Sequence, residues 1–151
     1  MDKGIYCLVF RNPACTAGIG ALGSLAFPAG FHIYIGSALG SGGLKRLDRH
    51  CRLACGENKR PKWHVDYILT DPRFELRYAI SAPTTERLEC RLAGALSGAG
   101  VRGFGCSDCA CTSHLLSRRH DPQEEITNAF RSLDLHPAIK TMITKEVKGN
   151  I

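Results

Sequence analysis

The chain has 151 residues, a length that suits one domain with its own hydrophobic core. No apolar run approaches the roughly 18 residues of a membrane-spanning helix, and MDKGIYCLVFRN does not have the pattern of a signal peptide, so we expect a cytoplasmic protein without a membrane partner. The net charge of +6 suits a polyanion such as nucleic acid, and eight cysteines without an export signal favour thiols, metal ligands or reactive groups over disulfides.

The first third of the chain predicts strands followed by one helix. Apolar, β-prone runs predict strands at Gly4–Phe10 and Phe31–Gly36, with short strands at Thr16–Ile19 and Ser24–Phe27 between them. A glycine-rich turn at Gly40–Gly43 follows. After it, apolar residues recur at helical spacing and predict an amphipathic helix from Leu44 to Gly56.

The middle of the chain continues the alternation of helix and strand. Residues 63–69 fit either a helix or a strand, and the alternating pattern of residues 74–80 predicts a half-buried strand. A helix is expected from Thr84 or Thr85 to Leu96, ended by Gly98. Residues 101–116 are rich in glycine and cysteine and predict a loop.

The C-terminal part predicts helices. The run Asp121-Pro122-Gln123-Glu124 has the N-cap, first-turn proline and N3 glutamate typical of a helix start, and a short last helix is expected after Pro137. We therefore expect a domain over residues 1–119 and a helical C-terminal extension over 120–151. The predicted fold class is α/β, a small central antiparallel sheet with a three-stranded core flanked by helices.

One stretch, HIYIGSALGSGGLKRLDRHC, brings chemically capable side chains together. Arg46 and His50 lie four residues apart, on one face of the predicted helix, and the glycine turn joins that helix to the strand that carries Tyr34. A guanidinium suits a phosphate, and an imidazole or phenol can hold or deprotonate a water. The alternative is structural: Tyr34 in the core, Arg46 solvated and His50 packed or capping.

The tripeptides Gly4-Ile5-Tyr6 and Tyr34-Ile35-Gly36, followed by Arg46 on a helix, resemble the GIY-YIG nuclease superfamily. A closer resemblance is to a subgroup of small prokaryotic domains of unknown function, sometimes fused to endonuclease III-type glycosylases. It extends through YIGSALGSGGLKRLDRH, WHVDYIL, LECRLA and GFGCSDCACTSHL, and covers roughly residues 4–116. The resemblance implies two tyrosines on adjacent strands of a three-stranded sheet.

The resemblance also implies a role for each site residue. Tyr6 is expected to be the general base or water-positioning group, with Tyr34 its partner at the phosphate. Arg46 would stabilise charge on the phosphate, and His50 matches a position where the superfamily has Tyr or His. A helix glutamate would bind one Mg²⁺ or Mn²⁺ ion; of Glu86 and Glu89, we assign Glu89, at the edge of the apolar stripe of its helix.

The sequence departs from the superfamily pattern in three ways. The two tyrosines are 28 positions apart, Ser37 replaces a lysine that often follows the second tripeptide, and an asparagine that many members carry has no clear counterpart. Our first hypothesis is a metal-dependent endonuclease in DNA repair or processing. The alternative is a non-catalytic nucleic-acid-binding module with the same fold. A third hypothesis, a thiol redox or zinc-sensing protein, rests on the cysteines alone.

Two further groups of residues have candidate roles. Basic residues are concentrated between Leu44 and Lys62 and are expected to contact the backbone of nucleic acid, DNA rather than RNA; beside Arg46 they are Lys45, Arg49, Arg52, Lys59, Arg60 and Lys62. A possible structural zinc site is formed by Cys106, Cys109, Cys111 and His114. The alternative is that hydrogen bonds from Asp108, Cys109 and His114 order this loop near the active site. Trp63 is expected in the core or as a stacking surface, with His64 and Asp66 either supporting Arg46 or packing at the surface.

Overall fold

The computed structural model describes residues 3–40, 42–56, 63–96 and 114–141. Its seven strands are β1 Gly4–Asn12, β2 Cys15–Gly18, β3 Ser24–Phe27, β4 Gly30–Ala38, β5 Glu75–Pro83, β6 Leu115–Arg118 and β7 Ala138–Thr141. Its four α-helices are α1 Arg46–Ala54, α2 His64–Leu69, α3 Glu89–Leu96 and α4 Gln123–Ser132. Short 3₁₀ turns lie at Gly20–Leu22 and Gly43–Lys45. Within these ranges, no helix is long and apolar enough to cross a membrane.

Five of the strands form one antiparallel sheet in the order β6-β4-β1-β5-β7, and β2 and β3 form a separate hairpin. The long strand β1 lies at the centre, between β4 and β5. Its side chains are buried along nearly its whole length because helices cover both faces of the sheet. This explains the continuous apolar run GIYCLVF, which lacks the alternation of a half-exposed strand.

The two faces of the sheet support two separate cores. Tyr6, Leu8 and Phe10 of β1 point to the face covered by α1, α2 and the β2–β3 hairpin. Their neighbours Ile5, Cys7 and Val9 point to the opposite face, which α3 and α4 cover. Because side chains alternate along a strand, the register of β1 decides which residues can meet α1.

Most of the predicted elements of the first half are confirmed. The strands at residues 4–12, 24–27 and 30–38 and the helix that ends before Gly56 lie where the sequence pattern placed them. The ambiguous segment 63–69 is mostly helical. The helix expected from Thr84 or Thr85 begins only at Glu89. Before it, Thr84 Oγ1 accepts the backbone N–H of Glu86 at 3.1 Å, in a turn that delays the helix.

The sheet is larger than its expected three-stranded core, and two expectations for the C-terminal part were wrong. The sheet has five strands, and the three long ones, β4, β1 and β5, lie at its centre. Leu115 and Leu116, expected in a loop, begin β6, and the segment after Pro137 is strand β7 and not a helix. The two short strands pair with the outer edges of β4 and β5, whose free backbone groups provide hydrogen bonds that a local pattern does not reveal.

The described part of the predicted C-terminal extension is built into this structure. Ile126 and Phe130 of α4 are fully buried in the core beneath α3, and β7 completes the sheet beside β5. The Asp121 carboxylate accepts both the backbone N–H of Gln123, at 3.1 Å, and the hydroxyl of Tyr78, at 2.5 Å. The predicted helix start is thus tied directly to β5.

Candidate functional site

The two glycine-containing tripeptides lie opposite each other on β1 and β4. Tyr6 pairs with Gly36 in the register of the two strands, and a Cβ atom at Gly36 would lie 2.6 Å from the Tyr6 hydroxyl oxygen. A Cβ atom at Gly4 would collide with the carbonyl oxygen of Ala82 on β5. Both glycines are therefore required by close packing, and Gly36 gives the Tyr6 ring its space.

Helix α1 brings the predicted arginine to this position. Gly43 has a positive φ of 53°, which lets the chain turn sharply after β4. Arg46, the first residue of α1, donates from Nη1 to the backbone carbonyl of Ser37 at 2.7 Å. The helix is thus pinned to the end of β4. Burial raises the pKa of the Tyr6 hydroxyl, and the charge of the nearby Arg46 guanidinium opposes this rise.

The centre of the site is a hydrogen bond between Tyr6 and His50. The Tyr6 hydroxyl oxygen lies 2.8 Å from His50 Nε2, and the residues are 1% and 0% exposed. Burial lowers the pKa of His50 to about 4, so the imidazole is neutral at pH 7. Burial, with a smaller contribution from Tyr34, raises the pKa of Tyr6 above its usual range despite Arg46. Both groups of the resting pair are therefore uncharged.

The direction of this hydrogen bond depends on the tautomer of His50. With its proton on Nδ1, the imidazole accepts the Tyr6 proton at Nε2; with its proton on Nε2, it donates to the phenolic oxygen. His50 Nδ1 has no hydrogen-bond partner among the described residues, so none of them fixes the tautomer.

A second layer from α2 supports the pair. Asp66 is fully buried; its carboxylate accepts two hydrogen bonds from Arg49, at 3.0 and 2.9 Å, and one from the backbone N–H of Trp63, at 3.0 Å. The guanidinium groups of Arg46 and Arg49 lie 4.8 and 4.4 Å from the centre of the Trp63 ring. The negative charge of Asp66 raises the pKa of His50 against the stronger effect of burial.

We call this group of side chains the tyrosine–histidine cluster. Tyr34 belongs to it: its ring centre lies 6.4 Å from that of Tyr6, and it is more exposed than Tyr6. The cluster consists of Tyr6, Tyr34, Arg46, Arg49, His50, Trp63 and Asp66. The structure thus brings together four of the five predicted catalytic residues. Of the two alternatives left open for Asp66, packing at the surface is excluded because the residue is fully buried, and its partner is Arg49, one helical turn from Arg46 on α1.

Glu89 lies outside the tyrosine–histidine cluster. It is half-buried in the first turn of α3, the helix on the opposite face of the sheet. There it raises the pKa of His114, which burial lowers more strongly. The carbonyl of His114 accepts the backbone N–H of Ile35 at 2.8 Å, so Glu89 stands near the edge of β4, one position beyond Tyr34. The described residues contain no group of three or more His, Cys, Asp or Glu side chains that could hold a metal ion.

The other predicted residues are distributed over several environments. Lys45, in the turn Gly43–Lys45, and Arg52, on α1, are exposed, and Arg49 forms an ion pair with Asp66. The predicted contacts Lys59, Arg60 and Lys62 and the predicted zinc ligands Cys106, Cys109 and Cys111 lie outside the described residues.

Sequence reasoning missed one contact of His114, the remaining predicted zinc ligand. Its Nε2 atom lies 4.0 Å from the sulfur of Cys90 on α3. The only sequence signal for this contact was the position of Cys90 within LECRLA, directly after Glu89.

Comparison with known proteins gives one match. Neither the curated proteins nor the solved structures contain a match to this chain. A family model described as "Domain of unknown function DUF123" matches residues 5–135, from the first strand through α4, and so spans the whole tyrosine–histidine cluster as well as Glu89 and His114. On this match, the chain belongs to the DUF123 family of domains of unknown function.

Proposed function

We propose that this protein is a metal-dependent endonuclease of the GIY-YIG type that hydrolyses phosphodiester bonds, in DNA rather than RNA, during DNA repair or processing in the cytoplasm. The observation that carries the proposal is the 2.8 Å hydrogen bond between Tyr6 and His50 beside the guanidinium of Arg46. A phenol, an acceptor for its proton and a fixed positive charge are the groups that hydrolysis of a phosphodiester needs.

Arg46 binds the phosphate. One of its five N–H groups is used by the Ser37 carbonyl, which fixes the orientation of the guanidinium. The Trp63 ring, whose centre lies 4.8 Å from the guanidinium carbon, restricts the side chain further. Arg46 then offers its remaining N–H groups to the phosphate oxygens and stabilises the additional charge that develops when water attacks. Tyr34, the more exposed of the two tyrosines, donates a hydrogen bond from its hydroxyl to the same phosphate.

Proton transfer follows the Tyr6–His50 hydrogen bond. As the oxygen of a water attacks phosphorus, the water gives a proton to the Tyr6 oxygen, and Tyr6 gives its own proton to His50 Nε2. The phenol is neutral before and after the transfer, so its raised pKa does not prevent this role. The imidazolium that forms is stabilised by the negative charge of Asp66, and it returns the proton to the leaving oxygen or to solvent.

Glu89 is the residue that would hold the metal ion. A single half-buried carboxylate fits Mg²⁺ or Mn²⁺, which keep several waters and use one or two protein carboxylates together with phosphate oxygens. It does not fit an ion that needs a complete set of protein ligands. When bound, the ion supplies Lewis-acid stabilisation of the phosphate. This chain would contribute one ligand to the ion, the Glu89 carboxylate near the edge of β4.

One observation favours a second function, a nucleic-acid-binding module without catalysis. Tyr6 and His50 are almost completely buried, and a buried hydrogen-bonded pair also stabilises a core without any reaction. In that case the exposed side chains of Lys45 and Arg52 would bind the nucleic-acid backbone, and the site would stay inactive.

The test is cleavage of labelled single-stranded, duplex, flap, junction and abasic DNA, with matching RNA, in Mg²⁺ or Mn²⁺. Wild type is compared with Tyr6→Phe and Glu89→Ala, and binding is measured in the same samples. Tyr67→Phe and Glu86→Ala are the matched controls, a half-buried tyrosine of the same core and an exposed glutamate three residues before Glu89.

Metal-dependent cleavage that both site variants lose and both controls keep, with binding intact, supports the endonuclease. Binding without cleavage on every substrate, unchanged in the variants, supports the binding module. Neither binding nor cleavage contradicts both proposals.

A further inference from the structure

We propose that a cleft at one end of the sheet is a binding site for a nucleotide, whose phosphate is held by Arg11 and Arg119. The proposal does not rest on the endonuclease function. The cleft has a volume of about 610 Å³, and its walls include Arg11, Phe31, Arg73, Phe74, Glu75 and Arg119. Arg11 follows Tyr6 by five positions on β1, about 16 Å along the strand, so the cleft is separate from the tyrosine–histidine cluster.

The sheet brings the two arginines to the same place. Arg11 on β1 pairs with Phe31 on β4, and Phe31 pairs on its other side with Arg118 of β6. At Gly30, which has a φ of 131°, a Cβ atom would lie 2.5 Å from the Arg118 carbonyl oxygen and 3.5 Å from Arg119 Cα. The chain after β6 therefore passes directly against the start of β4. Because neighbouring strands lie about 4.8 Å apart, the backbones of Arg11 and Arg119 are about 10 Å apart, and both side chains can reach one phosphate.

The other two charged side chains of the cleft are neutralised by neighbours. The Asp71 carboxylate accepts two hydrogen bonds from the Arg73 guanidinium, at 3.0 and 2.7 Å. Glu75 Oε1 accepts a hydrogen bond from Arg77 at 2.6 Å. Each of these ions has an opposite charge beside it, so neither determines the net charge of the cleft.

Arg11 and Arg119 supply the remaining charge. Both side chains are exposed, and neither guanidinium forms a hydrogen bond or ion pair within the ranges that the structure describes. The guanidinium carbon of Arg11 lies 5.9 Å from the centre of the Phe31 ring. A guanidinium offers a fixed charge and paired N–H donors that match phosphate oxygens, and two of them suit the double charge of a terminal phosphate. The cleft therefore favours a phosphorylated ligand.

The size and the walls of the cleft favour a nucleotide over a bare phosphate ion. A volume of about 610 Å³ lies within the range for small-molecule sites, and one phosphate would occupy a small part of it. Half-buried Phe31 and buried Phe74, with exposed Pro13 and Pro72, add apolar surface on which a base can lie. The same groups recognise a free nucleotide and a nucleotide within a nucleic-acid strand, and the test distinguishes these two sources.

The test is the affinity of the full chain, by titration calorimetry at low salt, for the four ribonucleoside 5′-monophosphates, inorganic phosphate and a DNA strand of five thymidylates. A nucleotide should bind roughly tenfold more tightly than inorganic phosphate, because its base adds contacts. Removing each arginine should weaken nucleotide binding roughly tenfold, the usual effect of a lost hydrogen bond to a charged group, so Arg11→Gln/Arg119→Gln should abolish most of it.

The matched control is Arg91→Gln/Arg131→Gln. It removes the same charge from exposed positions on α3 and α4, away from the cleft, and should keep the affinity. Because all four arginines are exposed, both double variants should fold as wild type does.

Backbone amide resonances locate the ligand and identify its source. Binding should shift the resonances of Gly30 and Phe31 and leave those of Gly36 and Ser37, at the tyrosine–histidine cluster, unchanged. With these shifts, tighter binding of the strand than of any mononucleotide identifies a nucleic-acid strand as the source. Equal or weaker binding of the strand identifies a free nucleotide.

Four results would overturn the assignment. A chain that binds neither the mononucleotides nor the strand has no such site. Inorganic phosphate that binds as tightly as every nucleotide probe would show a site for simple anions. Affinity that survives in Arg11→Gln/Arg119→Gln, or shifts at Gly36 and Ser37 in place of Gly30 and Phe31, would mean that the nucleotide binds elsewhere.

Discussion

Two buried histidines lie on the same face of the sheet, one toward each end of it, and they have different surroundings. His32 and His50 are both 0% exposed, and burial lowers the pKa of each to about 4. In each, one ring nitrogen has a hydrogen-bond partner and the other has none among the described residues. By burial and pKa alone the two residues are indistinguishable.

Their neighbours separate them. His32 Nδ1 donates to Asn12 Oδ1 at 2.7 Å, and the rings of Phe27 and Phe74 approach it edge-on. Desolvation is the one cause of its pKa shift. We call His32, Asn12, Phe27 and Phe74 the asparagine–histidine cluster. The hydrogen-bond partner of His32 is an amide, which cannot take up a proton. The amide nitrogen of Asn12 donates to the carbonyls of Pro13 and Pro28.

The tyrosine–histidine cluster instead has a proton donor and charges. His50 shares a hydrogen bond with a phenol, and its pKa responds, in addition to burial, to Asp66, Arg49 and Arg46. A proton arriving at His50 therefore has a source and a stabilising charge, and a proton at His32 has neither. The comparison shows that a perturbed pKa indicates burial, and that only the neighbouring groups indicate a site for proton transfer.

The largest expected difference between the two clusters is in catalysis. His50→Gln should reduce nucleic-acid cleavage by a factor on the order of 10² to 10⁴, the usual contribution of a general acid–base group, whereas His32→Gln should leave the rate per folded molecule unchanged. Cleavage rates are measured under single-turnover conditions, with the folded fraction determined for each variant. Equal loss in both variants would mean that His50 acts only through the fold.

Acid sensitivity should be shared by the two clusters. Each histidine has a folded pKa of about 4, below the unfolded value of 6.5, so the unfolded chain binds more protons between these values. The stability that each neutral histidine contributes is complete above pH 6.5 and is lost as the pH falls towards 4. At pH 5, protonation of each histidine should lower the free energy of unfolding by about 2 kcal/mol, and the two together by about 4 kcal/mol.

The measurement is urea unfolding at several pH values. Each histidine-to-glutamine variant should lose about half of the pH dependence that wild type shows between pH 6.5 and 5. A slope that neither variant changes would show that both histidines have nearly the same pKa in the folded and the unfolded protein.

Removing the buried charge should damage the tyrosine–histidine cluster. Asp66→Ala leaves Arg49 without its carboxylate and the Trp63 N–H without an acceptor. We expect a loss of about 3 kcal/mol in the free energy of unfolding, at the low end of the range for a broken buried ion pair, because the Arg49 side chain is 20% exposed.

The control is Asp48→Ala. Its ion pair with Lys140 joins two side chains that are 57% and 59% exposed, so its loss should cost less than about 1 kcal/mol. Similar effects in the two variants would contradict the assigned role of Asp66.

The smallest expected effect tests the space around Tyr6. Gly36→Ala inserts a methyl group 2.6 Å from the Tyr6 hydroxyl, and the ring must move away from its position beside His50. We expect a loss of about 2 kcal/mol from overpacking, together with reduced cleavage. Gly18→Ala, where nothing lies within 4 Å of the new methyl group, should be nearly neutral. Full activity in Gly36→Ala would show that the position of Tyr6 is not critical.

Local patterns in the sequence determined the central elements of the fold and the candidate residues. The apolar runs predicted β1 and β4, and the helical spacing of Leu44, Leu47, Cys51 and Ala54 predicted α1, because these elements bury side chains that follow a regular period. The two tripeptides and the four-residue spacing of Arg46 and His50 identified four residues that the structure brings into one cluster. The physical reason is that all four lie on β1, β4 or α1, and each of these elements is determined by residues that are close together in sequence.

Long-range pairing decided the rest. Strands β6 and β7 are four residues long and exist because β4 and β5 offer free edges, a feature of the sheet and not of LLSR or AIKT. The Asp66–Arg49 ion pair and the approach of Cys90 to His114 join residues that are 17 and 24 positions apart. The partners that distinguish His50 from His32 are 44 and 20 positions away. Such contacts depend on how helices and strands pack, because no local periodicity encodes which distant side chains will share a face of the sheet.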